Sequence, residues 1–79
     1  RDWTEALRRM IRERDNNICQ ICKKPQKNRA LSVHHIDYNK KNNNLENLTT
    51  LCYKCHTITN YNRDNWKNHF YEQQKSKIT

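Results

Sequence analysis

Two C-x-x-C pairs, Cys19-Gln-Ile-Cys22 and Cys52-Tyr-Lys-Cys55, stand 29 residues apart, and they constrain the fold of this chain more than any other feature. A C-x-x-C turn offers two thiolates from one knuckle, and two such turns complete the four tetrahedral ligands of a structural zinc. The chain needs a staple of this kind. It has 79 residues, of which 33% are hydrophobic, and a domain this small rarely fixes one fold by burial alone. Paired disulfides would require an oxidising compartment, whereas the sequence shows no apolar leader and no membrane-length apolar run. A redox C-x-x-C would not need a second copy. The expectation is a zinc site built by Cys19, Cys22, Cys52 and Cys55; a thiol redox protein is the alternative, and zinc content separates the two. The gap between the pairs is wider than in a zinc ribbon, so the knuckles flank an insertion.

The insertion carries the other chemistry-bearing residues, in VHHIDYNKKNNNLENLTTLCYKCHTITN, Val33 to Asn60. His34 and His35 are adjacent, Asn47 follows, and His56 comes directly after Cys55. Sixteen basic residues against eight acidic ones leave a net charge of +8, which points to a polyanionic partner, most simply nucleic acid. The chain opens on Arg1 and not on methionine, as expected of a domain or a processed piece of a longer protein; the location expected for it is the cytoplasm of a bacterial or phage-infected cell.

Residues 1–15 read as an amphipathic helix, with Trp3, Leu7, Met10 and Ile11 on one stripe, Asp2 or Thr4 to start it and Asp15-Asn16-Asn17 to stop it. Its stripe is expected to cover the first knuckle, leaving Arg1, Arg8, Arg9, Arg12 and Arg14 mainly to other surfaces. Residues 16–29 form that knuckle and a turn. The chain has no glycine, so left-handed backbone positions should fall to asparagine, aspartate or lysine, most naturally at residues 16–17, 28, 39 and 42–44. Residues 30–37 have the pattern of a strand, on which Leu31, Val33 and His35 share one side and Ser32, His34 and Ile36 the other. A polar loop follows at 38–44. Leu45, Leu48 and Leu51 then suggest a helical turn leading to an extended segment. A helix should open at His56, break near Asn62, restart with Asp64 as its cap, pack Trp66, Phe70 and Tyr71 on one face, and fray over the final KSKIT.

On a helix, His56 and Asn60 share a face. With His34 reaching across from the strand, the three would hold a divalent ion able to act as a Lewis acid on a phosphoryl group. His35, beside a ligand, is then placed for proton transfer near neutral pH. Blander readings stand beside this one. His56 could substitute for a cysteine, the histidine pair could be an ordinary strand pair on a basic surface, and Asn47 alone carries little information. His69 lacks a partner at useful spacing and reads as a surface residue.

The combined pattern V-H-H-I, then N-L-T-T-L-C-x-x-C-H, resembles the HNH endonucleases over roughly residues 16–66, and in particular the subgroup with two C-x-x-C pairs. The resemblance implies an α+β fold, a ββα-metal finger stapled by a four-cysteine structural zinc, with flanking helices. The expected organisation is one nuclease domain: an N-terminal helix over 1–15, the finger over 16–60 and a C-terminal helix over 61–79. It implies His34 and His56 as ligands of a catalytic metal, His35 as general base, and Asn47 as the residue that pins the loop and holds the base. Some members, such as the colicin-type DNases, carry a further ligand histidine four residues on. Asn60 stands there in this chain, a weaker ligand that favours Mg²⁺ or Mn²⁺ over Zn²⁺. The implied partner is double-stranded DNA entered through the minor groove, with Arg63, Lys40, Lys41, Arg8 and Arg12 expected at phosphates. The implied activity is phosphodiester hydrolysis, by a monomeric nickase or by a dimer cutting both strands. The alternative is a zinc-stabilised DNA-binding module without catalysis.

Overall fold

Thr4 settles the start of the first helix: its hydroxyl accepts from the Leu7 amide at 3.1 Å and caps α1, Glu5–Arg14. The computed structural model describes residues 2–27 and 29–78, with side chains as far as Ser76. The expectations placed on Arg1, Asn28 and Thr79 lie outside the described residues. After α1 come β1 (Ser32–His35), a 3₁₀ turn (Leu45–Asn47), β2 (Leu48–Leu51), α2 (Tyr53–Ile58) and α3 (Arg63–Ile78). The two strands pair antiparallel, with Val33 opposite Thr50, His34 opposite Thr49 and His35 opposite Leu48. Two strands with a helix after them, flanking helices and a cysteine cluster make a small α+β fold of the ββα-metal type.

The ribbon has a core on each face, and strand parity sorts the residues as the sequence pattern predicts. On one face, Val33 and Leu48 pack with Leu7 and Ile11 of α1, and Leu45 closes the edge. On the other, Ile36 and Leu51 pack with Cys19, Cys55 and Phe70 of α3, with Trp66 and Tyr71 partly buried against them. The first helix therefore covers the sheet, where its stripe was expected to cover the first knuckle. Only Leu7 and Ile11 of that stripe are buried; Met10 is exposed and Trp3 precedes the helix.

Polar groups tie the helices to β2. Arg14 donates to the carbonyls of Leu45 and Leu48 at 2.9 and 2.6 Å while its guanidinium pairs with the buried Asp15 carboxylate. Asp15 in turn accepts from the Thr50 amide at 3.0 Å, and the Gln20 amide donates to the Thr50 carbonyl at 2.9 Å, so the open edge of β2 is occupied. From α3, Gln74 donates to the Leu48 carbonyl at 2.8 Å. Arg14 is thus a strut of the fold and not one of the cations left for other surfaces.

Several boundaries differ from expectation. The second helix starts at Tyr53 and not at His56, because Cys52 caps it: the second knuckle is itself the first turn. Arg63 opens α3, so Asp64 sits inside the first turn and not at the cap, and the helix continues past Gln74 to Ile78 where fraying was expected. Left-handed backbone occurs at Asn16, Asn17, Lys23, Tyr38 and Asn62. Asn39 and residues 42–44 are not among them. Their side chains serve differently: Asp37, Asn39 and Asn42 each accept from the amide two residues on, at 2.8, 3.0 and 3.3 Å, a chain of Asx turns in which the asparagines themselves keep negative φ and only the first turn encloses a left-handed residue, Tyr38.

Candidate metal centres and cleft

Each knuckle is shaped by its backbone. In the first, the Cys19 amide donates to the Lys24 carbonyl and the Lys23 amide to the Cys19 carbonyl, with Lys23 left-handed at φ 63° and an Ile18–Pro25 bridge closing the loop. In the second, the Cys52 sulfur accepts from the Cys55 amide at 3.5 Å. The result places the sulfurs of Cys19, Cys22, Cys52 and Cys55 within 4.8 Å of one another. The Cys22–Cys52 separation is 3.9 Å, close to the roughly 3.8 Å edge of a tetrahedron with metal–sulfur bonds of about 2.3 Å. Four thiols this close cannot all ionise without a cation. Burial and the neighbouring sulfurs push the Cys55 thiol up. Burial acts the same way on Cys19, but hydrogen bonds from backbone at Cys52, Cys22 and Ile21 outweigh it and bring that thiol to about 7. The set fits a structural zinc.

Beside this cluster the end of the ribbon opens into a cleft of about 620 Å³, lined by Trp3, Val33, His34, His35, Tyr38, Lys40, His56, Asn60 and Arg63. His34 enters it from the α3 face. Its ring lies 4.9 Å from Tyr38, 5.3 Å from His56 and 5.6 Å from Phe70, centroid to centroid, and the residue is 4% exposed. Burial first, then the positive potential of His56, His35 and Arg63, lowers its pKa to about 4, so the imidazole is neutral at physiological pH. Its Nε2 is buried and has no hydrogen-bond partner among the described residues, and neither has Oγ1 of Thr49, the residue opposite it across the ribbon. An orphaned buried nitrogen is costly. A neutral imidazole facing a second one, His56, itself shifted down by burial and by His35, is the donor set that a divalent cation would satisfy. Asn60 lines the same cleft, though not from a shared helical face: α2 ends at Ile58, and the Asn60 amide turns back onto the Thr57 carbonyl at 3.2 Å.

His35 reaches the cleft from the opposite face. Its ring is 4.6 Å from that of Trp3, and its Nε2 lies 2.8 Å from Oδ1 of Asn43. An amide oxygen only accepts, so Nε2 carries the proton and Nδ1 the lone pair. The orienting group is thus the Asn43 side chain and not the backbone carbonyl expected for such a base. Asn47, 2% exposed, holds the loop that carries Asn43. Its Oδ1 accepts from the Asp37 amide and from the Tyr71 hydroxyl, both at 3.1 Å; its Nδ2 donates to Asp37 Oδ1 at 3.0 Å and to the Asn42 carbonyl at 2.8 Å. Although burial raises the Asp37 carboxyl, hydrogen bonds from Asn42, the Asn39 amide and Asn47 hold it below its usual range.

The stretch from Cys19 to Arg63 matches the family model of the HNH endonuclease over residues 19–63, more than half of the chain. The chain belongs to the HNH endonuclease family. No curated protein and no solved structure matches it. For this HNH domain the family supports a nuclease-type function, and the four clustered cysteines support metal binding.

The expected phosphate contacts fall into two groups. Arg63 and Lys40 line the cleft, and Lys41 is exposed on the same loop. Arg8 and Arg12 instead share the Glu5 carboxylate at 3.1 and 2.5 Å, and Arg8 also lies over the Trp3 ring at 5.3 Å. Two cleft-lining residues, Trp3 and Tyr38, and the partner of His35, Asn43, were not singled out from the sequence. Trp3 was absorbed into a helical stripe. Asn43 was one of a run, and only Tyr38, an aromatic residue alone in a polar loop, carried a signal.

Proposed function

We propose that this HNH domain, residues 1–79 as one unit, is a DNA endonuclease that hydrolyses phosphodiester bonds with His35 as general base. The observation that carries the reading is the buried Nε2 of His34, without a partner among the described residues, on a ring 5.3 Å from that of His56, with His35 beside it fixed in one tautomer by Asn43. A pure binding module needs no buried nitrogen without a partner next to a histidine so constrained. His34 and His56 would hold the divalent ion, with the Asn60 side-chain oxygen as third ligand, a mixed nitrogen and oxygen set suited to Mg²⁺ or Mn²⁺. When bound, that ion supplies Lewis-acid stabilisation of negative charge on phosphoryl oxygens.

His35 does the proton chemistry. Its Nδ1 takes a proton from water while Nε2–H stays on Asn43, and the resulting hydroxide attacks phosphorus. The bond to the 3′-oxygen breaks, that oxygen takes a proton from solvent water and His35 releases its own to solvent, leaving 5′-phosphate and 3′-hydroxyl ends. Asn47 acts at one remove by holding the loop of Asp37, Asn42 and Asn43. Arg63, Lys40 and Lys41 meet backbone phosphates of double-stranded DNA, with Arg8 and Arg12 extending the basic surface. The cysteine cluster holds a structural zinc. One base and one ion cut one strand, so a double-strand break takes a second copy or a second encounter.

Supercoiled plasmid incubated with zinc-loaded protein and Mg²⁺ or Mn²⁺ tests this. The parent should nick, and His35→Ala should nick roughly 10²–10⁴-fold more slowly, the usual contribution of a general base. Equal rates for the two remove His35 from the mechanism. Binding without cleavage under either ion favours the zinc-stabilised DNA-binding module.

A further inference from the structure

Tyr38 is the one aromatic residue among the described left-handed positions, at φ 63°; the others are asparagines at 16, 17 and 62 and a lysine at 23. A bulky side chain is disfavoured there, and such an outlier persists where the surroundings over-determine it. Asparagine would serve the backbone better and is abundant in the loop that follows, at 39 and 42–44, so the side chain is what this position selects. Three contacts hold it. The phenol donates to the Thr59 carbonyl at the end of α2, joining the β1–β2 loop to the α2–α3 junction. The ring meets that of His34 in a T-shaped pair, 4.9 Å between centroids. The ring face lies under the Arg63 guanidinium, 4.6 Å from centroid to Cζ.

Arg63 is the first residue of α3 and is exposed, and among the described residues no carboxylate pairs with it. A guanidinium held over an aromatic face by cation–π attraction uses none of its N–H donors there, and its planar fork matches two phosphate oxygens. We propose that Tyr38 is a positioning residue which holds Arg63 as a phosphodiester clamp over the cleft. The clamp rests on the reading of this cleft as a DNA site and adds to it the residue that aims its cation. Lys40, which lines the same cleft, supplies a point charge without this orientation. The left-handed turn serves to bring the ring beneath Arg63 and against His34 at once.

A double-mutant cycle on duplex binding tests this, by fluorescence anisotropy of a labelled duplex with the full zinc-loaded chain and no added Mg²⁺ or Mn²⁺. Tyr38→Asn keeps a residue that tolerates the left-handed backbone and removes the ring; Tyr38→Phe keeps the ring and removes the phenol. Tyr38→Asn and Arg63→Ala should each weaken binding about five-fold, the size of one cation–π contact, and each should lower the slope of log affinity against log salt by about one. The double variant should bind no more weakly than Arg63→Ala alone, and Tyr38→Phe should stay within about two-fold of the parent. Additive losses, an unchanged salt slope in Tyr38→Asn, or an equal loss in Tyr38→Phe would each overturn the clamp. Thermal melting of Tyr38→Asn guards against unfolding; if it does not fold, the Tyr38→Phe comparison with Arg63→Ala decides. Because this assay needs no cleavage, a non-additive cycle in a protein that never nicks plasmid sinks the nuclease reading and leaves the clamp standing.

Discussion

Replacing Asn47 by aspartate changes one atom pair and should nevertheless cost much of the domain's stability. Asn47 is 2% exposed and makes four hydrogen bonds, two through its oxygen and two through its nitrogen. Aspartate keeps the acceptor for the Asp37 amide and the Tyr71 hydroxyl. On the other side it puts a carboxylate oxygen where Nδ2 stood, 3.0 Å from Asp37 Oδ1 and 2.8 Å from the Asn42 carbonyl. Two unit charges at that spacing repel by about 5 kcal/mol at an effective dielectric near 20, and solvent at the half-buried Asp37 lowers this to about 3–4 kcal/mol. A chain of this length is stable by only about 4–12 kcal/mol. Asn47→Ala removes the same four bonds without adding charge, leaves the Asp37 amide and the Asn42 carbonyl without that partner, and should cost about 2–4 kcal/mol.

The two variants separate by pH. In Asn47→Asp, repulsion raises the folded pKa of the carboxyl pair above its unfolded value, so the folded state binds more protons and the deficit shrinks as pH falls toward that raised pKa. Asn47→Ala carries no titrating group, so its deficit relative to the parent stays flat between pH 7.5 and 5. Urea unfolding followed by far-ultraviolet circular dichroism, with the parent measured at each pH, gives both numbers. An Asn47→Asp protein within about 1 kcal/mol of the parent at pH 7.5, or a deficit that does not shrink at pH 5, refutes the placement of Nδ2 against Asp37.

Acid should also act through His34. Its folded pKa of about 4 lies below the ordinary 6.5, so the folded state binds fewer protons in that window, and stability is full above pH 6.5 and lost as pH falls toward 4. At pH 5 the loss is about 2 kcal/mol by linkage; His34→Gln, measured by urea unfolding at pH 7.5 and 5, should lack this part, and equal losses in the two proteins would contradict it. Elemental analysis should find one zinc per chain, and Cys19→Ser or thiol-directed zinc release should abolish helical circular dichroism, since a small fold built on four zinc-bound cysteines draws much of its folding energy from the ion. Full helicity in zinc-free protein would mean that the apolar cores suffice.

What was legible in the sequence is what depends on short, rigid rules. The cysteine spacing announced a common site because a C-x-x-C turn has little freedom. Strand alternation placed Val33 and His35 opposite His34 and Ile36, and the ribbon keeps that division. The turn at Leu45 followed by an extended Leu48–Leu51 was readable from leucine spacing and ends where expected. What escaped the sequence depends on competition between local options. Thr4 and Asp2 are both competent caps by residue type, and periodicity does not choose between them; in the structure it is the Thr4 hydroxyl that takes the Leu7 amide. Cys52 is at once a knuckle residue and a helix cap, so periodicity, which sees only the helix, places the start of α2 too late. The asparagine run admits two backbone solutions, left-handed residues or Asx turns, and composition does not distinguish them; the structure takes the second and leaves the left-handed position to Tyr38.

The same parity explains why the candidate site lies at the end of the ribbon and not on either face. Adjacent residues of a strand point apart, so His34 and His35 are backed by different cores: Phe70 stands behind one and Trp3 beside the other. Their rings can share a cleft only where the ribbon stops and its two faces open into one space, and β1 ends at His35. The turn that follows must then be held from within, because no further strand pairing fixes it beyond the Ile36 amide on the Asn47 carbonyl. Asn47, Asp37 and the Asx turns supply that hold, and α3 joins it through Tyr71. A ligand imidazole kept neutral by burial and a base kept in one tautomer by the loop are therefore two consequences of ending a two-sided ribbon between two histidines.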